Sequence, residues 1–216
     1  MPELSALPRA ARYLRALPDG LDSYPEIQLK GSTARAVIEN LPSHANINDV
    51  PEEVRWMLTN PPPVSGWFPE VHMITLVHVM RDLWFTSEEQ QLEWVHDNIK
   101  NLFGGSLYKV LFGLISPMRL AKSSKRAWAS LRRGSEREIL EMSDNHNLGR
   151  VIYPQNCYDS FYMEVIALAL KVAYGMSRAK APRVRILSCS PTVSEIEVVY
   201  DVTKLEGGEL PRASGA

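Results

Sequence analysis

The fold of this chain is decided by the stretch RVRILSCSPTVSEIEVVYDV, which occupies positions 183–202. The pair Ser190-Pro191 is typical of a turn, and the segments on either side of it, 183–189 and 194–202, are rich in residues that favour strands. Apolar and polar side chains alternate along the second segment, which indicates one buried face and one face in water. The stretch therefore predicts a β-hairpin.

The charges of this hairpin predict its strand register. When the numbers of paired residues sum to 382, Arg185 lies opposite Glu197 on the wet face and Val184 lies opposite Val198 on the buried face. Each such cross-strand pair contributes about 0.2–1 kcal/mol. A slip by one residue would turn every apolar side chain of the strand towards water, so we predict this register.

A long helix and another hairpin precede this stretch. Residues 156–176 have apolar side chains at helical spacing. Segments 135–143 and 148–153 are predicted strands, joined by the turn-rich residues 144–147. The order hairpin, helix, hairpin predicts an α+β fold, in which a four-stranded antiparallel sheet has the long helix across it.

The residues before this unit are predicted to be helical. Apolar stripes, N-cap residues and stop signals such as Gly104-Gly105 indicate where the helices begin and end. A helix or a mobile arm is expected at 4–17, and further helices at 32–40, 51–58, 70–85, 87–103, 106–115 and 117–133. Three prolines make residues 60–66 a stiff spacer.

We expect one domain with two extensions. The N-terminal helix or arm is assigned to residues 1–20, the α+β domain to 21–203 and a flexible tail to 204–216. Within the domain, residues 21–134 form the helical part and residues 135–203 the sheet part. A chain of this size buries about 70% of its unfolded surface, which is enough to dispense with disulfides and metals.

The composition is that of a globular protein without an export signal. Hydrophobic residues make up 45% of the 216 residues and charged residues 23%, close to globular averages. Arginines interrupt the N-terminal residues 1–17, unlike a secretory signal, and no run is apolar enough to span a membrane. We expect a cytoplasmic protein with reduced cysteines. The net charge of −1 argues against nucleic acid as a partner.

Three segments resemble a family of proteins of about this length, described mainly from myxobacteria and of unknown function. The segments are YPEIQLKGSTARAVIENLP, PPPVSGWFPEVH and LFGGSLYKVLFGLISPMRLAKSSKRAWASLRRGS, and the resemblance runs from Tyr24 to Asp201. More distantly, the C-terminal half is similar to the superfamily of haem-nitric-oxide-binding sensors, vinyl-reductase-type ligand-binding domains and TRAPP tethering subunits. This resemblance implies the same order of elements, and members that bind haem or small apolar molecules or form dimers.

The chain departs from the haem-binding and metal-binding members. Haem-binding members carry a Tyr-x-Ser-x-Arg motif for the propionates, and the nearest match here, residues 158–162, ends in Tyr162 instead of arginine. The five histidines lack metal-ligand spacing, and His72 is the best single candidate for a haem ligand. Cys157 and Cys189 lie too far apart in sequence to form the cysteine cluster of vinyl-reductase-type domains. We therefore predict no cofactor, no metal and a colourless protein.

No catalytic motif is present in the sequence. It has no GxSxG, no P-loop and no GxGxxG after a strand. Cys157 lies at the predicted N-terminus of the long helix, where the helix dipole lowers a thiol pKa, so it is a candidate reactive or acylated thiol. The alternative is a small buried residue that fills a gap. We predict that the chain is not an enzyme.

The helices offer more apolar surface than one sheet covers. Between Phe161 and Met176 only Glu164 and Lys171 are charged, and the segment 106–115 has a single charge. The surplus surface forms a ligand pocket, a subunit interface or internal core. The pocket candidates are Tyr108, Leu111, Phe112, Tyr158, Phe161 and Tyr162.

The last helix before the sheet part is basic. Between Ser116 and Ser135 six residues are basic and none is acidic. Such a face binds phosphate, an acidic lipid surface or an acidic partner, or it is simply solvated. The candidate residues are Arg119, Lys122, Lys125 and Arg126, of which Arg119, Lys122 and Arg126 share one helical face.

These patterns favour a non-enzymatic binding or interaction module with a regulatory or assembly role. We expect a two-fold homodimer, a protein partner, or both. The alternative hypothesis is a sensor domain that holds a small apolar ligand. A third hypothesis is an enzyme without a recognisable motif.

Overall fold

The computed structural model describes residues 3–104, 115–177 and 179–202. The α-helices in these ranges are α1 Pro8–Arg15, α2 Gly31–Ile38, α3 Glu52–Thr59, α4 Glu70–Trp84, α5 Glu88–Gly104, α6 Pro117–Leu131 and α7 Ser160–Met176. Short 3-10 helices occur at Leu4–Ala6, Gly20–Asp22 and Ile47–Asp49. The tail predicted at 204–216, and nearly all of the helix predicted at 106–115, lie outside the described residues. None of the described helices is long and apolar enough to cross a bilayer.

The sheet part has the predicted architecture. The sequence of elements is hairpin, helix and hairpin, with strands β4 Glu136–Met142, β5 His146–Ile152, β6 Ala179–Cys189 and β7 Val193–Val202. These four strands form one antiparallel sheet in the order β4-β5-β7-β6. Helix α7 packs against this sheet, chiefly on β6. The α+β prediction is confirmed.

The predicted register of the last hairpin is confirmed in its centre. Arg185 pairs with Glu197, and the two side chains form an ion pair with Nη2 and Oε2 2.6 Å apart. The register shifts on either side of this centre, at bulges within 180–183 and 186–188 of β6. Strand β6 is an edge strand, and bulges there hinder pairing with the edge of another chain.

The structure contains a second sheet, which the sequence does not predict. It lies in the helical part and has the order β2-β1-β3, with strands β1 Gln28–Lys30, β2 Trp67–Pro69 and β3 Arg132–Arg133. Strands of two or three residues are too short to show an alternating pattern. Because β3 follows α6 directly, that helix ends at Leu131 and not at the predicted residue 133.

Helix α1 is part of the domain and not a mobile arm. Its residues Ala10 and Tyr13 are buried, and the helix packs against α4. The backbone N–H groups of Arg9 and Ala10 donate to Asp82 Oδ2 at 2.9 and 3.2 Å. Eleven of the fifteen residues of α4 are buried, so this helix uses most of its apolar surface within the chain. The two-fold homodimer stays a prediction.

The proline-rich spacer contacts the start of α2. The Gly31 N–H donates to the Gly66 carbonyl oxygen at 3.0 Å, and the Ser32 N–H donates to the Val64 carbonyl oxygen at 3.1 Å. A Cβ atom on Gly31 would lie only 2.0 Å from the Pro63 carbonyl oxygen. The spacer therefore satisfies the first N–H groups of α2, and this close approach requires glycine.

We expect Gly31→Ala to lower the free energy of unfolding by about 1–3 kcal/mol, because the spacer backbone must move away from the added methyl group. Gly175→Ala in α7 is the matched control, since its Cβ would meet only Pro182 Cγ at 3.7 Å. Alanine is the better helix former, so the control is expected to be as stable as the wild type or more stable. Urea denaturation measures both variants. A Gly31→Ala protein of unchanged stability would contradict the contact.

Candidate functional site

A buried carboxylate lies where the helical part meets the sheet part. The Tyr158 hydroxyl donates to Glu70 Oε2 and the Tyr162 hydroxyl to Oε1, both at 2.7 Å. Arg132 Nε donates to Oε1 at 2.9 Å, and its guanidinium carbon lies 4.4 Å from the centre of the Trp128 ring. Glu70 itself is fully buried. We call Glu70, Arg132, Tyr158 and Tyr162 the Glu70 cluster.

In the Glu70 cluster, burial and the nearby charges keep the two tyrosines protonated and Arg132 charged. Burial raises the pKa of Tyr158 and Tyr162, and the negative charge of Glu70 raises both further, so each hydroxyl keeps the proton that it donates. Burial opposes the charge on Arg132, but the Glu70 carboxylate and the tyrosine hydroxyls outweigh burial, and the pKa of Arg132 lies above its ordinary value. The cluster is therefore balanced in charge and well hydrogen-bonded.

The structure describes three of the six predicted pocket residues. Tyr158 and Tyr162 are buried and close together, with ring centres 5.3 Å apart, but their hydroxyls are committed to Glu70. Phe161 is buried beside His78, with ring centres 5.9 Å apart. The other predicted pocket residues, Tyr108, Leu111 and Phe112, lie outside the described residues. The pocket they were predicted to form stays a prediction.

His78 fills a space in the core next to this cluster. Its ring is 1% exposed and lies between Tyr13 and Phe161, and its Nε2 is 3.0 Å from Asp159 Oδ2. Asp159 Oδ1 accepts the Tyr162 N–H at 2.9 Å and thereby caps α7. Burial opposes the charge on Asp159, but contact with His78 and this N–H outweighs burial and holds the pKa of Asp159 below its usual value.

A second polar cluster lies under α6 and α7 on the inner face of the sheet. It consists of Arg137, Asn147, Tyr174 and Tyr200, which are at most 2% exposed. Asn147 Nδ2 donates to the Tyr174 hydroxyl oxygen at 2.5 Å, and the rings of Tyr174 and Tyr200 have centres 5.3 Å apart. We call these four residues the Arg137 cluster.

The Arg137 cluster is not well hydrogen-bonded. Among the described residues, Arg137 Nε and Nη1, Asn147 Oδ1 and the Tyr200 hydroxyl have no hydrogen-bond partner. Burial lowers the pKa of Arg137, although the Tyr174 hydroxyl opposes this shift. Burial and the Tyr200 hydroxyl raise the pKa of Tyr174 to about 12. A buried polar group without a partner costs about 1–3 kcal/mol, and a charged group costs more.

The predicted basis for a reactive thiol at Cys157 is wrong. Helix α7 begins at Ser160 with Asp159 as its N-cap, so Cys157 does not lie at the helix N-terminus. The thiol is fully buried, and burial, followed by the charge of Glu70, raises its pKa. Both effects disfavour the thiolate, which is the reactive form. The alternative prediction, a small buried residue that fills a gap, agrees with this environment.

The four candidate basic residues on α6 are exposed. The side chains of Arg119, Lys122, Lys125 and Arg126 face solvent, whereas Ala121 and Trp128 on the other face are buried. In the described parts of the chain none of the four cations forms an ion pair, although arginines elsewhere pair with Glu39, Glu70, Glu88, Glu138 and Glu197. The α6 basic face is these four residues.

Two open surface grooves, with volumes of about 290 and 190 Å³, occur in the described ranges. The larger lies between α2 and the end of α5, and the smaller lies beside Tyr24 and Asn156. Neither groove is lined by a histidine or by a member of the two clusters. The polar clusters are therefore enclosed by the protein and do not line these grooves.

Three solved structures share the fold over most of both chains. One comes from work on haem distortion in the H-NOX family; it has a TM-score of 0.55 and 9% identity and covers 84% of this chain and 100% of that one. This chain has the H-NOX fold. The oxygen complex of an oxygen-binding H-NOX domain related to soluble guanylate cyclases has a TM-score of 0.53 and 9% identity, covering 80% and 95%. A structure from work on haem redox potential and porphyrin distortion has a TM-score of 0.52 and 10% identity, covering 79% and 99%.

The likeness to H-NOX domains confirms the predicted resemblance to haem-nitric-oxide-binding sensors at the level of the fold. No family model matches the chain, and no curated protein matches it either. Identities of 9% and 10% leave the interior of the fold free to differ. Because a fold alone does not establish function, a haem site must be judged from the side chains that would hold it.

Four of the five histidines, all in the described ranges, contact other protein groups or are enclosed by side chains. Haem iron in proteins is held by a His, Cys, Met or Tyr side chain. His44 Nε2 contacts the Trp84 carbonyl oxygen, His78 is enclosed by side chains, and His96 and His146 lie beside surface carboxylates. His72, the predicted best candidate, lies edge-on to Trp56, and its Nδ1 has no hydrogen-bond partner among the described residues. Burial lowers its pKa, which favours the neutral imidazole. In the described ranges no group of His, Cys, Asp and Glu residues could hold a metal ion.

We expect Glu70→Gln to lower the free energy of unfolding by about 3–5 kcal/mol, because Arg132 then has no counter charge in the core. Glu138→Gln is the matched control, since it breaks the ion pair with Arg150, whose side chain is 42% exposed. Its expected cost is below about 1 kcal/mol. Urea denaturation measures both variants.

The double variant Glu70→Leu with Arg132→Met tests the cause of this loss. It removes both charges together, so we expect it to be more stable than Glu70→Gln, as for other buried ion pairs replaced by apolar residues. A double variant no more stable than Glu70→Gln would assign the loss to the hydrogen bonds from Tyr158 and Tyr162 instead of the uncompensated charge.

Proposed function

We propose that this chain is a non-enzymatic sensor domain that binds a small molecule without haem, between α6, α7 and the sheet. The observation that carries this proposal is the incomplete hydrogen bonding of the Arg137 cluster. Proteins satisfy nearly all of their buried polar groups. Several unsatisfied groups side by side therefore mark a place where a further molecule completes the interior.

The fold supports the same proposal. The structural neighbours are an oxygen-binding H-NOX domain and proteins studied for their haem, so this arrangement of helices and sheet holds small ligands in those proteins. The Arg137 cluster contains no histidine, and its unsatisfied groups are a guanidinium, an amide and a hydroxyl. Those groups suit a polar organic ligand better than an iron centre.

We expect the full chain, purified without denaturant, to carry a non-covalent small molecule and to show no Soret band. Native mass spectrometry, compared with the mass under denaturing conditions, measures the bound molecule, and absorption spectroscopy detects haem. Two results would overturn the proposal. One is a chain that carries nothing and is not stabilised by any small molecule in a metabolite extract. The other is a Soret band with stoichiometric iron.

A second function, interaction with an acidic partner, is favoured by the α6 basic face. Its four cations are exposed and unpaired within the described residues, and no acid lies between positions 116 and 135. Among the residues that the structure describes, the exposed large apolar side chains are Ile47, Trp56, Val64, Leu140, Met142 and Leu187, and none of these is on α6. The face thus offers charge without apolar anchors, which suits an acidic protein segment better than insertion into a membrane.

We expect the triple variant Arg119→Glu, Lys122→Glu and Arg126→Glu to abolish salt-sensitive binding to poly-glutamate, because the charge of the α6 basic face is reversed. Each exposed substitution should change stability by only about 0.5 kcal/mol.

Lys171→Glu, Lys180→Glu and Arg183→Glu form the matched control, since they change the net charge equally at exposed positions elsewhere. Fluorescence anisotropy with labelled poly-glutamate at increasing salt measures binding. Equal binding by both triple variants and the wild type would return the α6 basic face to a solvated surface.

A further inference from the structure

We propose that the ligand of the Arg137 cluster is a small organic monocarboxylate, whose carboxylate pairs with the Arg137 guanidinium. This inference rests on the sensor function proposed above and names the chemical class of its ligand. Three features support it: the uncompensated charge of Arg137, the position of its side chain over Gly149 and the neutral character of its neighbours.

In the described core, the buried cation of Arg137 has no carboxylate to neutralise it. Glu70 is the only buried acid in the described ranges, and its carboxylate is already engaged by Arg132, Tyr158 and Tyr162. Arg137 is 2% exposed, and neither its Nε nor its Nη1 finds an acceptor among the described residues. A guanidinium stays charged when it is buried, so its missing partner is an anion.

The chain itself offers few alternatives for this anion. Residues 105–114, which link α5 to α6, contain no Asp or Glu. Beyond position 202 the sequence has two acids, Glu206 and Glu209. These two carboxylates are the internal candidates that an experiment must separate from a ligand.

The Arg137 guanidinium lies close to a glycine on the neighbouring strand. Arg137 on β4 pairs with Val151 on β5, and Gly149 lies two residues from Val151 along the same strand, on the same face of the sheet. A Cβ atom on Gly149 would be 3.3 Å from Arg137 Nη2, so the guanidinium passes over the glycine. Asn147 lies two residues further along β5, on the same face of the sheet. The guanidinium is thus directed towards the other unsatisfied groups of the cluster.

The surroundings favour a single negative charge with an apolar remainder. Arg137 is the one cation of its cluster, and the other members are an amide and two phenols. A phosphate monoester carries about −1.5 to −2 charges at neutral pH and would bury an excess of negative charge here. Leu120, Val184 and Val198 pack around Tyr174 and Tyr200, so the residues next to the cluster are apolar. A carboxylate supplies this single negative charge together with an acceptor for the charged N–H groups of Arg137.

The experiment compares the urea midpoint of the full chain with straight-chain carboxylates from acetate to octanoate, the matching primary alcohols and inorganic phosphate. We expect at least one carboxylate to raise the midpoint, and the alcohols and phosphate to leave it unchanged. Arg137→Met should bind that carboxylate at least about tenfold more weakly, since it removes a charged hydrogen-bonding partner. Arg150→Met is the matched control, because Arg150 lies on the neighbouring strand, paired with Glu138 on the exposed surface, and should leave binding unchanged.

Arg137→Met also has a signature without ligand. Removing a buried cation that has no partner should raise the urea midpoint of the ligand-free chain. A lower midpoint or an unfolded variant would show that Arg137 is satisfied within the folded chain, and would overturn the inference. Arg137→Lys keeps the charge but loses the planar guanidinium with its fixed N–H directions, and should bind the carboxylate more weakly than the wild type.

The remaining outcomes separate this inference from the proposed sensor function. Alcohols that bind as well as carboxylates, or binding unaffected by Arg137→Met, would overturn the carboxylate and leave a sensor of another ligand class. Phosphate as the better ligand would do the same. If Glu206→Gln with Glu209→Gln lowers the midpoint only when Arg137 is present, the tail supplies the anion, and the inference fails.

Discussion

The ion pair between Glu70 and Arg132 is the interaction on which the junction of the two halves depends. Glu70 is the first residue of α4, and Arg132 directly follows α6 at the start of β3. With Tyr158 and Tyr162, these residues hold three helices and the small sheet around one carboxylate. A buried ion pair adds little to stability compared with apolar residues of equal volume. Its contribution here is geometric, because the hydrogen bonds form in only one arrangement of those elements.

Two arginines five positions apart have opposite roles in this core. Arg132 is balanced by Glu70 and stacks on Trp128, whereas Arg137 lies among neutral groups that do not satisfy it. Natural sequences agree with their fold at most positions, and local conflicts concentrate at functional sites. The Glu70 cluster is the part of the interior that stabilises a fixed arrangement. The unsatisfied groups of the Arg137 cluster lower the stability of the fold, and we therefore place the proposed ligand there.

The sequence predicts what depends on neighbouring residues and misses what depends on distant ones. The register of Arg185 with Glu197 follows from a local alternation, and it is confirmed. Glu70 resembles an ordinary acid in the first turn of a helix, and its partner Arg132 is distant in sequence, so its burial has no local signal. Arg137 stands between Glu136 and Glu138 and resembles part of an exposed edge strand. Only the assembled sheet, with α6 against β4, shows that its side chain points inwards.

Helix α6 contacts the proposed ligand site with one face and carries the α6 basic face on the other. Its inner face contacts β4, the strand that carries Arg137, and Leu120 near its N-terminal end packs against the cluster that contains Tyr174 and Tyr200. Its outer face is the α6 basic face, and its C-terminal end is held by the pairing of Arg132 with Glu70. If the proposed ligand binds at the Arg137 cluster, we expect α6, which is held at its C-terminal end, to change position at its N-terminal end. Coupling between ligand and partner then requires that the two positions of α6 differ in their contacts with each of them. Since the basic side chains begin at Arg119, next to Leu120, we expect such a difference in the N-terminal half of α6.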